Sequence, residues 1–476
     1  MSEKRTEALL VTSLPPLETG LATYAIRVIE NTVNFIEWTV AYTSGSDPES
    51  LPGNVKSMPI EEMEECNVPN IRIFQIGNSA DCFPVARALY KLGGTVVFHE
   101  IVFHHMLRYS YLEKNEIDEY KRELIFCLGP AAGKVEKDLS GKNTSVSEFD
   151  TKLKQYPLAG RILNSASSAV CLNSFALSKL ERTFPEGKII RIGHPLSKLP
   201  DIQIPLRPYK ICFGMIGSNH PGRNLEKVIE SVKLLRNDLP DSGLVLVGSG
   251  YPEDLPEWVT NAGRLDEKEY QGWIRTLDYL FDVRYPTCGE TSGSLLEAMR
   301  AGIPSIVTAT GSFNNIPSDA VIRVLPDNIV QGIRSAVLLL EDRPEIKRSI
   351  SENAALYAED TGSVERLVND WKRVMVMAAQ PLMDNFPVIN AASLSPAWHE
   401  PPEGFVRDLN TMPVTWRFSG KAMIEGPENA SGALVTAWGE GSLNSINLQS
   451  MASVTNVDGR VLHFRGNGRV SDVFWK

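Results

Sequence analysis

Four side chains in this sequence, each in or beside a loop placed between a strand and a helix, could do chemistry together: His99, Arg223, Glu290 and Glu297. Glu290 and Glu297 lie within Arg284 to Gly311, RYPTCGETSGSLLEAMRAGIPSIVTATG. Its small polar loop, Thr287-Cys-Gly-Glu-Thr-Ser-Gly293, precedes a helical run from Ser294 to Ala301 that Gly302 and Pro304 end. A loop of this kind leaves backbone N–H groups free at the positive end of a helix dipole, an arrangement that takes an anion. Glu297 falls in the first turn and could accept hydrogen bonds from hydroxyls of a ligand docked there. Ser294 and Glu297 also satisfy the S-x-x-E pattern of a capping box, which gives Glu297 a purely local role. A second anion site is suggested by Ser218-Asn-His-Pro-Gly-Arg223-Asn224, where a basic residue opens the helical run 225–239.

His99 and Glu100 end the strand-like run TVVFHE (95–100), and His104 and His105 follow. This is not the H-E-x-x-H of a zinc helix, and no distant Cys or carboxylate pattern completes a tetrahedral set. Polar residues at the carboxyl end of a parallel strand point into a ligand crevice, which is the better reading of His99. Gly20 lies in the loop between the strand 8–14 and the helix 21–33; with no G-x-G-x-x-G, that opening does not indicate a dinucleotide cofactor. Gly263 and Arg264 follow the strand 243–248 and precede the helix 267–276.

The elements that must position these residues alternate strand and helix. Runs at 8–14, 37–43, 71–77, 95–100, 169–173 and 189–193 read as strands of a first half. The Pro-rich PLSKLPDIQIPLRP (195–208) reads as a linker, and YKICFGMIG (209–217) opens a second half. Three helical patterns follow at 328–342, 345–358 and 363–379. Near residue 381 the composition shifts toward Pro, Asn, Ser, Gly and Trp. Short strand patterns with Asp458-Gly459 and Asn467-Gly468 as turns suggest a small all-β appendage at 385–476. Its Trp416, Trp438, Phe464 and Trp475 could form a core or a sugar-stacking face.

The 476 residues allow two or three domains, and a net charge of −10 argues against a broad nucleic-acid surface. The six cysteines show no C-x-x-C spacing and most lie in apolar runs, as in reduced cytoplasmic proteins. No secretory leader and no bilayer-spanning run are evident, which leaves peripheral contact at the inner face of a membrane open.

The segment 284–311 resembles the donor-sugar site of retaining, GT-B-fold glycosyltransferases of the family-four (group 1) type. Leu-Leu-Glu297-Ala-Met and Ala-Gly-Ile-Pro carry the likeness, which extends over roughly residues 8–380. That family opens the loop with another Glu eight positions before its pair, with seven residues between them; here Gly289 holds that position and Glu290 follows it. The resemblance implies two Rossmann-like α/β domains facing each other across a cleft. Residues 1–198 would form the acceptor-side domain, 199–362 the nucleotide-sugar domain, and helix 363–380 would return to brace the first. It implies transfer of a sugar from a nucleotide-diphosphate sugar to a glycan or glycolipid hydroxyl with retention, without metal or other cofactor. By the same likeness His99 and Glu290 would orient the sugar. Gly20, Arg223, Asn224, Gly263, Arg264, Thr291, Ser292, Gly293, Ser294 and Glu297 would bind the donor. Met215 stands where the family has a further basic residue. A nucleotide-sugar epimerase and a catalytically silent scaffold of the same fold are the competing expectations.

Overall fold

The computed structural model describes residues 5–380 except 18, 65, 129–131, 134, 136–152, 154–155, 182–183, 185–186 and 198–201. Beyond residue 380 it describes the backbone of strands only.

Apolar, β-branched runs of strand length form two parallel sheets because each run is covered on both faces by amphipathic helices. The first sheet contains β1 (Thr6–Thr12), β2 (Ile36–Tyr42), β3 (Lys56–Pro59), β4 (Arg72–Ile76), β5 (Gly94–Phe98), β6 (Ala166–Cys171) and β7 (Ile189–Arg191), in the order β3-β2-β1-β4-β5-β6-β7. The second contains β8 (Ile211–Ile216), β9 (Ser242–Val247), β10 (Val259–Gly263), β11 (Tyr279–Asp282), β12 (Ser305–Thr308) and β13 (Ile322–Val324), in the order β10-β9-β8-β11-β12-β13. Both orders reverse once: between β1 and β4, and between β8 and β11. Ligands of such sheets bind outside the carboxyl ends of the strands at these switch points. The loops that leave β1, β4, β8 and β11 are therefore the ones placed to line a site.

Two stretches join the halves, residues 192–210 and the passage from α-helix Pro344–Gly362 into Val364–Ala378. They cross in contact. Leu196 N donates to Gly362 O at 3.0 Å. A Cβ on Gly193 would fall 1.8 Å from Thr361 O, and one on Gly362 would fall 2.6 Å from His194 O. Only glycine lets the two backbones pass so closely. The helix Val364–Ala378 then lies on the first sheet's helix layer. Its Trp371 is fully buried edge-on against Trp38, with ring centroids 5.7 Å apart, and Asp370 Oδ2 accepts from Gly193 N at 2.9 Å.

The expected all-β appendage falls largely outside the described residues, as do its turn at Asp458-Gly459 and its four aromatic side chains. Strands Gly441–Thr455 and Val461–Phe474 pair antiparallel, and the second runs through Asn467-Gly468 rather than turning there. The Ser-, Lys- and Thr-containing stretch 138–151, which reads from sequence as a polar loop, is also outside the described residues.

Because Trp371 fixes the returning helix to the first half, Trp371→Ala should lower stability by about 3–5 kcal/mol, the usual cost of emptying a buried aromatic site. Equilibrium urea unfolding measures this, and a cost below about 1 kcal/mol would show that the helix is held elsewhere.

Candidate functional site

A cleft of about 900 Å³ opens between the two sheets at their switch points. The first half supplies Gly20, Tyr24 and Arg27 from helix α1 (Gly20–Thr32), Gly77 to Ala80 after β4, and His99 and Glu100 after β5. From the second half come Gly217, Ser218, Arg223, Arg264, Arg284, Glu290, Thr291, Gly293, Ser294 and Glu297. The lining thus includes nine of the twelve residues selected from sequence. Asn224, Gly263 and Ser292 are not in the wall.

Each of those three has another position. Asn224 adopts the left-handed conformation, φ 55°, and its Nδ2 donates to the carbonyls of Gly222, Val283 and Tyr285 at 3.0–3.1 Å. It ties the loop after β8 to the loop after β11. Gly263, φ 68°, accepts from Gly248 N at 2.8 Å where β9 and β10 end. Ser292 is the N-cap of the helix Gly293–Arg300: its Oγ accepts from Leu295 N at 3.3 Å and from Arg284 Nη2 at 2.8 Å. The helix therefore starts one residue before the expected Ser294, and the Ser294–Glu297 capping box does not form. The cap is Ser292, because its extended backbone, φ −87° and ψ 105°, points its hydroxyl at the first turn.

Glu297 is accordingly not spent on a cap. It is 2% exposed, and both carboxylate oxygens are engaged. Oε1 accepts from Ser197 N at 2.7 Å and lies 3.0 Å from Arg27 Nη1; Oε2 accepts from Arg300 Nη2 at 2.5 Å. Ser197, in the connection between the halves, is held at every polar atom. Its Oγ accepts from Gln271 Nε2 and Arg300 Nη2, and its carbonyl accepts from Arg300 Nη1.

The cationic wall is a buried triad. Arg223, 3% exposed, donates from Nη2 to Ile216 O at 2.6 Å and lies 3.4 Å from Asp282 Oδ1. Arg284 Nε donates to the same Oδ1 at 2.8 Å. Burial opposes ionisation of Asp282, but Arg284 and Arg223 outweigh it and hold the carboxyl below its usual range. Burial likewise opposes charge on Arg284, and Asp282 and Glu290 reverse that and raise its pKa. Arg223 Nε and Asp282 Oδ2 are buried without hydrogen-bond partners among the described residues. Buried polar groups are rarely left so, except where a ligand or water completes them. Met215, at the position of the family's further basic residue, is buried core of β8. Arg284 brings the second cation from β11's end instead.

Glu290 curls back on its own loop. Oε2 accepts from Cys288 N at 2.7 Å and Thr287 Oγ1 at 2.9 Å, and Oε1 is 3.7 Å from Arg284 Nη1. Gly289 could not carry a side chain: at φ 81°, its Cβ would fall 2.7 Å from Ile101 Cγ1. The loop therefore presents its carboxylate one residue later. The first half clamps this loop. Ile101 N donates to Cys288 O at 2.9 Å, and Asn173 Nδ2 donates to Gly289 O and Thr291 Oγ1, each at 2.9 Å. Arg264 Nη2 also crosses the cleft, to Pro16 O at 3.2 Å.

His99 Nε2 lies 3.3 Å from Gln75 Oε1, and its ring meets Tyr24 edge-on. Tyr24 in turn meets His194, whose ring covers Gly293 in the first turn of the helix. Burial, with repulsion from His194, lowers the His99 pKa to about 3; burial, with Arg27 nearby, lowers that of His194 to about 4. Both are neutral at pH 7. His104 is a packing residue: Nδ1–H donates to Tyr156 O at 2.8 Å and Nε2 pairs with Tyr120 Oη at 2.7 Å, while burial lowers its pKa to about 3. His105 lines the cleft beside Asn78, with 3.0 Å between Asn78 Nδ2 and its Nδ1.

Arg27, Asp282, Asn173 and His194 were not found from sequence. Asp282 had a usable signal, a lone carboxylate ending the apolar strand run LDYLFDV (277–283). Arg27 had none, because one Arg on a helix reads as solvated surface.

No family model matches this sequence, and a search of curated proteins finds no match. Solved structures do resemble it. A sucrose-phosphate synthase from Thermosynechococcus elongatus superposes with a TM-score of 0.53 at 14% identity, over 79% of this chain and 100% of that one. Anabaena HepE in complex with UDP and glucose gives 0.53 at 11%, over 78% and 100%. The same protein with UDP-glucose gives 0.52 at 9%, over 79% and 100%. At these identities the likeness establishes the fold, two parallel-sheet α/β domains of the GT-B kind.

Two buried neutral histidines, His104 and His194, and the half-buried His99 in the cleft wall make stability depend on pH. Their folded pKa values, about 3 for His99 and His104 and about 4 for His194, lie below the ordinary 6.5. Between these values the unfolded chain binds more protons, so stability is full above about pH 6.5 and falls as pH drops toward 4. The slope should be on the order of 1 kcal/mol per histidine per pH unit. Urea midpoints at about pH 7 and about pH 5 test it; equal midpoints would mean that the rings are protonated when folded.

Proposed function

We propose that this protein is a glycosyltransferase that moves a sugar from a nucleotide-diphosphate sugar to an acceptor hydroxyl, with retention of configuration and without a metal ion. The observation that carries the reading is the Arg223–Asp282–Arg284 triad beside a helix N-terminus in the interdomain cleft, with Arg223 Nε unpartnered among the described residues. The departing group in such a transfer is a nucleoside diphosphate, and its developing charge is what fixed cations and a helix dipole stabilise. The triad holds both guanidinium groups in place before the reaction, so little reorganisation is needed as charge develops. The HepE structures containing UDP and UDP-glucose support a donor of this chemistry.

The remaining residues divide the work. Glu297, in the second half's wall, accepts hydrogen bonds from the ribose hydroxyls of the nucleotide. His99, neutral, and Glu290, one oxygen anchored to Cys288 N, orient the hexose from opposite walls. Gly20, with open space where a Cβ would be, lets the donor approach the backbone at the start of α1. Thr291, Gly293 and Ser294 line the approach to the helix N-terminus. The acceptor is a glycan or glycolipid in polysaccharide assembly, met in the cytoplasm or at the inner membrane face. Among the described residues, no helix is long and apolar enough to cross a membrane.

One observation favours a silent scaffold of the same fold: both oxygens of Glu297 are already bound to protein groups. Slow hydrolysis of donor without acceptor separates the two, because a transferase leaks to water and a scaffold does not. Retention is read from the anomeric proton of the first product by NMR.

Arg223→Ala should weaken nucleoside-diphosphate binding by about 1.5–3 kcal/mol, the range for hydrogen bonds to a charged group. Titration calorimetry with UDP, GDP and ADP measures this. Unchanged affinity for the preferred nucleotide would remove Arg223 from the donor site.

A further inference from the structure

Among the described residues, Arg27 is the one partner of Glu297 that comes from across the cleft. Arg300 is on the same helix as Glu297, and Ser197 is in the connecting chain. Arg27 belongs to α1 in the first half and lines the cleft. Its guanidinium bridges three groups. Nη1 donates to Pro195 O at 3.0 Å and lies 3.0 Å from Glu297 Oε1, while Nη2 is 3.4 Å from Glu267 Oε1. The side chain is 14% exposed and that of Glu297 2%, so their pair is only weakly screened, whereas Glu267 is exposed to solvent.

A diol binds a carboxylate through one hydroxyl on each oxygen, and Oε1 of Glu297 already holds two donors, so a hydroxyl can take its place there only if one of them leaves. Glu297 Oε1 holds Ser197 N and Arg27, and Oε2 holds Arg300. Arg300 and Ser197 are bound to each other at two further points and cannot leave separately. Arg27 can leave, because Glu267 already offers it a second carboxylate. We propose that Arg27 and the nucleotide's ribose diol compete for Glu297, so that Arg27 sets donor affinity from the opposite wall of the cleft. The idea rests on Glu297 as the ribose acceptor proposed above.

In this arrangement donor entry exchanges an ion pair that joins the two halves for hydroxyl–carboxylate bonds within the second half. The guanidinium swings to Glu267 and Pro195 O, and no proton or covalent bond changes place. Arg27 joins the two walls of the cleft at Glu297 until the ribose takes that carboxylate.

The test crosses one variant with one ligand change. UDP, GDP and ADP are first titrated into the wild-type protein by calorimetry; if none binds, the donor reading itself falls. The tightest is then compared with its 2′,3′-dideoxy counterpart. Equal wild-type affinity for the two would show that Glu297 does not hold the ribose, and would overturn the reading on which this proposal rests. If the diol matters, Arg27→Met, which keeps the aliphatic stem and removes the charge, should tighten binding of the natural nucleotide at least about fivefold, the lower end for coupled sites. Binding of the dideoxy nucleotide should not change. Equal effects of Arg27→Met on both ligands, or weaker binding of the natural one, would make Arg27 a direct ligand or a packing residue and overturn the competition. Arg27→Lys keeps the charge and should remain close to wild type.

Discussion

The site depends on one buried carboxylate. Asp282 is the last residue of β11, and both arginines of the triad depend on it. Two guanidinium groups brought together inside a protein repel each other and lose hydration. Neither burial would persist without the opposite charge between them. Asp282 is placed there by the sheet: it is paired with Val307 of β12 in parallel register, which fixes where the strand ends. Removing one partner from such a cluster costs far more than the cluster contributes to stability, because a buried charge is left uncompensated. The triad thus serves placement of charge more than stability, and its unpartnered Arg223 Nε and Asp282 Oδ2 are the residue of that compromise.

A second constraint joins the triad to the rest. Loops that carry the chemistry belong to the second half, yet the first half holds them. Ile101 and Asn173 bind the carbonyls of Cys288 and Gly289 and the hydroxyl of Thr291, and Arg27 holds Glu297. The two connecting stretches pass each other closely at glycines 193 and 362. Any change in the angle between the halves would alter the same few bonds at the cleft. On the proposed function, donor binding and that angle would be coupled through these named contacts.

The fold was legible because its signals are local. Apolar runs of strand length, alternating with helical periodicity, predict the central strands of both sheets, and the Pro-rich 195–208 marks the connection; the short edge strands β3, β10 and β13 carry no such run and are not predicted. The cleft was legible through a topological rule: residues after β1, β4, β5, β8 and β11 converge at the switch points. What failed was finer. Ser292 and Ser294 are both plausible caps by type, and only the backbone angles choose Ser292. Asn224 looks like a ligand-facing polar residue, but left-handed geometry turns its amide onto three carbonyls. Side chains whose partners lie more than a hundred residues away leave no mark on sequence spacing, as with Arg27 and Glu297, 270 positions apart (297 − 27).

That last case changes what a motif residue means. Glu297 matches the family pattern by type and position, and in isolation it would be a free acceptor waiting for ligand. In the folded chain it is a hub for the helix, the connecting chain and the opposite wall. A carboxylate so bound is pre-oriented, which favours binding by reducing the ordering that remains to be done. It is also occupied, which opposes binding until a partner leaves. The balance is set by how readily Arg27 can be released, and Glu267, 3.4 Å from its other nitrogen, lowers the cost of that release. On the proposed function, the affinity of this cleft for a donor is therefore a property of the contact between the halves as much as of the residues that line the donor's place.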